Sequence, residues 1–312
     1  MAAVTEYDGH GHGVADGADA RRVGAALALI LAFMAAEVVT GILADSLALL
    51  SDAAHMLTDA GALTLSLVTL RLVARPAAGN FTFGLKRADA LSAQANGFTL
   101  LVLAGLIIYE GIHRLVSPPQ PAGLAVLVVA LVGIAVNLLA TRQLARANRE
   151  SMNIRGSYLH LLTDLAAFVA TAIAGAVILW TGFARADGIA ALFVAAIMLK
   201  AAYSLLRDSG RVFLEAAPAG TDVAAIGTAL SAQAGVEAVH DLHVWEIGSS
   251  LPSLSAHVLV VPATDCHAIQ RALTQLLHDR FAIDHVTLQL DHLDAAGDLI
   301  AVETGCAAAQ PG

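Results

Sequence analysis

The chain has 312 residues, of which 57% are hydrophobic and 14% charged, and its formal net charge is −9. Soluble domains average about 45–50% apolar and about 25% charged residues. The composition therefore excludes an ordinary cytosolic enzyme and a disordered chain, and the missing basic surface excludes a nucleic-acid binder. Two cysteines, Cys266 and Cys306, are too few for a disulfide framework.

Residues 1–20 are polar and carry His10 and His12 between glycines, so they are expected to form a disordered N-terminus. A helix needs about 20 apolar residues to cross the hydrocarbon of a bilayer. Six stretches meet that length: 23–44, 47–73, 90–112, 122–141, 157–183 and 188–206. Together they predict a six-helix transmembrane domain over residues 21–207. The first run is too long for a signal-peptide core and is read as an uncleaved helix. Arginines and lysines then set the orientation. Arg21, Arg22, Arg71, Arg75, Lys86, Arg87, Arg142, Arg146, Arg149, Arg155, Arg207 and Arg211 fall on one side, and only Arg114 and Arg185 on the other. The positive-inside rule places the richer side, with both termini, in the cytoplasm.

Charged groups at bilayer depth are costly, and they mark functional sites when they cluster. The second span carries Asp52, His55 and Asp59, and the fifth carries His160 and Asp164. The words are His55-Met56-Leu57-Thr58-Asp59 and His160-Leu161-Leu162-Thr163-Asp164, which differ at one of five positions. In each, His and Asp stand four apart on one helix face. The two spans run in opposite directions, as in two inverted three-helix halves of a transporter. Facing antiparallel copies of His-x-x-x-Asp put each His level with the other helix's Asp. Two imidazoles and two carboxylates converge in this arrangement, a four-ligand N/O set that suits Zn²⁺. Asp52 is either a route-lining carboxylate or a structural group. Glu37, Gln94, Asn96 and Asn137 are expected to make inter-helix hydrogen bonds, and Glu110 with Arg114 a helical ion pair.

Residues 208–312 change character, with thirteen acids against three arginines and seven of the chain's twelve histidines. Residues 221–233 read as a helix N-capped by Thr221, residues 236–247 and 254–262 as strands joined by a turn at 248–252, 264–281 as a helix, and 285–290 as a last strand. The order αββαβ predicts a small α+β layer over 208–293, one sheet with helices on one face, before a flexible tail at 294–312. His240, His243, His257, Cys266, His267, His278, His285, Asp291 and His292 are scattered through it without the spacing of a closed zinc site, and His278 and His292 read as surface residues.

These words resemble the cation diffusion facilitator family in its zinc-transporter branch. The resemblance covers about residues 20–292 and rests on GILADSLALLSDAAHMLTD at 41–59, FTFG at 81–84, EGIHRL at 110–115, HLLTD at 160–164 and HDLHVW at 240–245. It implies a homodimeric six-helix exchanger of cytosolic divalent metal for protons, in membrane lipid, with a metallochaperone-like cytoplasmic domain. It also implies that His55, Asp59, His160 and Asp164 form the transport site, with His at the first position favouring zinc. In the tail, His240, His257, His267, His285 and Asp291 match ligand positions of various members. Gln289 stands where some members have His, so a complete two-metal site at a dimer interface is not expected. A loop metal site of some members is expected to be missing, because residues 78–85 offer no ligand; the His-rich loop between the fourth and fifth spans of many relatives is absent too.

The functional expectation is proton-coupled efflux of cytosolic Zn²⁺ by alternating access, in a bacterial inner membrane, with Zn²⁺ as substrate, possible Zn²⁺ binding in the cytoplasmic domain, and no organic cofactor. The residues leave open the same transporter carrying Cd²⁺, Co²⁺, Ni²⁺ or Mn²⁺, and an intramembrane zinc enzyme. The enzyme lacks a His-Glu-x-x-His word and any spare general base except Asp52.

Overall fold

A computed structural model describes residues 13–43, 47–117, 123–148, 151–249, 251–262 and 264–292, with side chains at 13–16, 41, 43, 47–55 and 123–126 excepted. The chain divides into two compact units, Met1–Phe213 and Leu214–Gly312.

The first unit is a bundle of α1 (Gly13–Leu43), α2 (Leu47–Val73), α3 (Ala88–Val116), α4 (Gly123–Leu144), α5 (Met152–Thr181) and α6 (Ala186–Phe213). Among the described residues these six helices are long and apolar enough to cross a membrane. Segment 1–20, expected to be disordered, is helical from Gly13 onward, and residues 1–12 with His10 and His12 lie outside the described residues. The helix extends past the apolar run because Asp19 is buried. Its carboxylate accepts from Arg22 Nη1 at 3.0 Å and from the Asn148 backbone N–H at 3.3 Å. Ser151 N-caps α5, its hydroxyl accepting from the Ile154 N–H, and Gly182 ends the helix at φ +71°, a left-handed turn that glycine takes without a Cβ penalty.

The bundle packs in two groups. Side chains of α1, α2, α4 and α5 form one buried cluster, including Ile30, Leu63, Leu144 and Leu161, while Leu100 of α3 packs with Met198 and Leu205 of α6 in another. A repeat of small buried residues explains the α3–α6 pairing. Gly97, Ala104 and Gly111 recur every seven residues on α3, and Gly188, Ala195 and Ala202 do so on α6. A Cβ at Gly188 would lie 2.9 Å from the Gly111 carbonyl oxygen, so small residues let the backbones approach closely. At one end of this pair Arg114 Nε donates to Glu110 at 2.9 Å, and its Nη1 also reaches Asp187 of α6.

The second unit contains α7 (Val223–Ser231), β1 (Val236–Glu246), β2 (Pro252–Val260), α8 (Cys266–Phe281) and β3 (His285–His292). The sheet order is β1-β2-β3. The β1–β2 pair is antiparallel, and β2–β3 is parallel through the α8 crossover. Leu254, Ala256, Val258 and Val260 alternate along β2 into one core with Ile226 and Leu230 of α7 and Leu273 and Leu277 of α8. Three details differ from the sequence reading. Asp222, not Thr221, caps α7, accepting from the Ala225 N–H at 3.0 Å. Pro252 opens β2 opposite Glu246 instead of closing the turn; proline is tolerated as a strand's first residue, where no ladder donor is required. β3 runs on to His292 because Leu259 and Val260 continue the ladder with Asp291 and His292.

Candidate metal centre

α2 and α5 run antiparallel and touch, and their polar words meet. Asp59 comes from α2, and His160 and Asp164 come from α5 one turn apart. His160 Nε2 lies 3.0 Å from Asp59 Oδ1 and 3.9 Å from Asp164 Oδ2. One donor atom from each residue falls within 4.8 Å of the others, and all three residues are buried. Ligand atoms about 2.0–2.2 Å from a tetrahedral ion sit about 3.3–3.6 Å apart. The spacing of this group accepts a small dication with slight adjustment. His55 lies one turn before Asp59 on α2, but its side chain and that of Asp52 lie outside the described residues.

The donor set fits a borderline cation, with one imidazole nitrogen and two carboxylates. Asp164 Oδ2 and His160 Nδ1 are buried with no hydrogen-bond partner. Buried carboxylates are held at a desolvation cost that a bound dication offsets directly. Among the described residues this is the one group of three converging His, Cys, Asp or Glu side chains. Thr163 does not join it through its hydroxyl, which donates to the His160 carbonyl at 2.6 Å.

Two expected inter-helix hydrogen bonds are not made. Asn137 Nδ2 donates within its own helix to the Gly133 carbonyl at 3.3 Å, and Asn96 Nδ2 has no partner. A second polar cluster lies where α3 meets the start of α5. Asp89 of α3 caps α5, accepting from Ser151 Oγ at 2.8 Å, Met152 N–H at 2.9 Å and Asn153 N–H at 3.1 Å. Asn153 in turn joins Ser92 and Ser66. One sequence signal was available: Asn153, Ser157, His160 and Asp164 recur at helical spacing and mark a polar stripe on α5.

In the second unit, four of the five expected cytoplasmic ligands, His240, His257, His285 and Asp291, share one sheet face, and three of them come together. His240 and His257 are cross-strand partners with stacked rings, centroids 5.1 Å apart. His257 Nδ1 lies 3.6 Å from Asp291 Oδ2, and Asp291 also accepts from Gln289 Nε2 at 3.2 Å. His285 opens β3 opposite Ser253, four ladder positions from the His257–Gln289 pair. His267 lies in the first turn of α8, exposed. His292 is not a plain surface residue, since its Nε2 lies 3.1 Å from Cys266 Sγ. His278 is exposed, and the Asp284 carboxylate hydrogen-bonded to its ring raises its pKa above 6.5.

Residues 23–214 match the family described as "Cation efflux transmembrane domain", and residues 218–293 match "Cation efflux protein, cytoplasmic domain". The chain is 39% identical over 285 residues to the "Metal cation efflux system protein CzcD" of Cupriavidus metallidurans, covering 91% of this chain and 90% of that protein. It is 34% identical over 288 residues to a "Cadmium, cobalt and zinc/H(+)-K(+) antiporter" of Bacillus velezensis, covering 91% and 92%. It is 36% identical over 281 residues to the "Zinc transporter ZitB" of Escherichia coli, covering 89% and 90%.

Proposed function

The chain belongs to the cation efflux (cation diffusion facilitator) family of integral membrane transporters, and from that premise we propose that it exports cytosolic Zn²⁺ in exchange for protons by alternating access. The observation that carries this reading is the convergence of Asp59, His160 and Asp164 from two antiparallel membrane helices. His55, one turn before Asp59, completes a four-ligand set of two nitrogens and two carboxylates in this reading.

Exchange follows from the donor chemistry. An imidazole nitrogen or a carboxylate must lose its proton before it binds metal. Zn²⁺ and protons therefore compete for the same atoms, and one occupant leaves as the other arrives. When the helices expose the site outward, protons replace the metal; when they expose it inward, cytosolic Zn²⁺ replaces the protons. The antiporter name of the Bacillus relative supports proton coupling.

The clustering of Arg and Lys at one end of the six spans supports cytoplasmic termini, and we place the protein in a bacterial inner membrane. In this reading residues 21–207 carry transport. Residues 208–293 bind metal and join two protomers, with residues 294–312 as a flexible tail. His240, His257 and Asp291 form the part of the cytoplasmic ligand set that one protomer brings together, and His267 and His285 stand apart from it. A second reading, transport of Cd²⁺ or Co²⁺ by the same site, is supported by the relative named for cadmium, cobalt and zinc.

Zinc uptake into everted membrane vesicles under an imposed pH gradient tests the proposal. The wild-type chain is expected to accumulate zinc and to collapse the gradient as it does so, and Asp164→Asn to do neither. Zinc flux at the wild-type rate in Asp164→Asn, or flux with no proton movement, overturns the proposal.

A further inference from the structure

Four polar side chains lie between the metal centre and the end of the bundle where α5 begins. Ser66, Asn153 and Ser157 are 0% exposed and Asn96 is 1% exposed. On α5, Asn153 and Ser157 continue the face of His160 and Asp164. Ser66 follows Asp59 by seven residues on α2 and Asn153 precedes His160 by seven on α5, so each lies about 10 Å along its helix from the site.

Three of these groups are unsatisfied. Ser66 Oγ, Ser157 Oγ and Asn96 Nδ2 have no hydrogen-bond partner. Membrane helices offer a hydroxyl an easy partner, the carbonyl one turn back. Other hydroxyls of this bundle take it: Thr64 donates to the Ala60 carbonyl at 2.7 Å, Thr99 to Ala95 at 3.0 Å and Ser209 to Leu205 at 2.7 Å. Ser66 and Ser157 do not, although in an apolar medium an unpaired polar group is costly. A purely structural serine would take the local bond. Asn96 packs closely against α5 beside Ser157: a Cβ on Gly156 would lie 3.2 Å from Asn96 Nδ2.

Asn153 closes this track. Its Nδ2 donates to the Ser66 carbonyl of α2 at 3.0 Å, and its Oδ1 accepts from Ser92 Oγ of α3 at 2.6 Å. One side chain thus pins α2, α3 and α5 at a single level. Asp89 holds Asn153 in place by accepting from its backbone N–H.

We propose that Ser157, Asn96 and Ser66 line the cytoplasmic half of the transport route, and that Asn153 is its gate. With the Asn153 bonds made, the route is shut. When they break, α2 and α3 part from the start of α5, water enters, and the three unsatisfied groups hydrate and pass the hydrated dication to His160. This proposal rests on the transport reading and its orientation. Asn153 is a positioning residue, acting through the helices it joins and not as a metal ligand.

The test is side-specific thiol labelling of the full chain in membrane vesicles. Cys266 and Cys306 are replaced by Ser, and Ser157→Cys supplies the single reporter. A membrane-impermeant methanethiosulfonate is expected to label the reporter in everted vesicles and not in right-side-out ones. Adding Asn153→Ala removes two hydrogen bonds, and the labelling rate is expected to rise about tenfold. Labelling that Asn153→Ala leaves unchanged, or that occurs only from the outer face, overturns the proposal. If Asn153→Ala does not assemble, Ser92→Ala removes one bond and is expected to raise the rate about threefold; no rise overturns the gate. Labelling reads water access and needs no metal flux. A gate that fails while Asp164→Asn still abolishes flux leaves the metal centre standing, and zinc flux that survives Asp164→Asn removes the metal centre whatever the labelling shows.

Discussion

Among the described residues, histidines and carboxylates gather in a set in each unit, and the two sets are built on opposite plans. In the membrane unit, the His160 and Asp59 side chains are 2% and 3% exposed, drawn together from two helices. In the second unit, the His240 and His257 side chains are 43% and 38% exposed on a sheet face. The count of candidate ligands favours the second unit, and the physics favours the first. Exposed imidazoles and carboxylates are already solvated, so a metal gains little by replacing water around them. Buried ones have lost that solvation, and a dication restores it. Convergence and burial, not the number of histidines, single out Asp59, His160 and Asp164 as the proposed metal site.

The sharpest way to break this contrast is to remove a buried carboxylate. Asp59→Ala and Asp164→Ala are expected to lower zinc transport more than about 100-fold, since even groups behind metal ligands cost 10–100-fold when lost. Both variants should insert and elute at the wild-type size. Zinc uptake by vesicles and size-exclusion of the purified protein check the two halves together.

His55→Asp sharpens the contrast by changing donor type at the proposed fourth ligand. Replacing a nitrogen with an oxygen donor is expected to shift the zinc-over-cadmium or zinc-over-manganese flux ratio about tenfold toward the competitor. Competition assays at two external pH values measure it, and an unchanged ratio assigns selectivity to another residue.

On the exposed set the expected effect is smaller. His257→Ala breaks the contact with Asp291 and the stacking on His240, yet zinc flux at saturating metal is expected to change less than about threefold, because solvated groups contribute weakly to binding. A loss as large as that of Asp164→Ala would place the two sets on equal footing and end the contrast.

The smallest effect belongs to His278. Asp284 raises its folded pKa above 6.5, so the protonated ring is favoured in the folded chain. The stabilisation is fully present below the unfolded value and fades as pH rises through the raised folded value. Thermal unfolding should show a wild-type advantage over His278→Gln at pH 5.5 that has vanished by pH 9. An advantage that grows with pH contradicts the sign.

Much of this architecture was legible in the sequence because it depends on local periods. Apolar length marked the six spans, and alternation marked the strands. The spacing of four put His160 and Asp164 on one face. Antiparallel α2 and α5 followed from counting spans, and the Asp59–His160 contact of 3.0 Å follows from that geometry. Tertiary structure alone decided the contacts that link distant segments. Asp89 caps a helix that begins 63 residues later, at Met152, and no local pattern announces it. Asn153 reads as the polar edge of a span until its partners on α2 and α3 are known. In the second unit, a bulge between His240 and His243, with Asp241 at φ +48°, sets which histidine faces His257. A one-residue change of register moves every side chain to the other face. Local sequence determines which face of an element is polar. Which polar faces meet, and at what level, is set by how the helices and strands pack along their length.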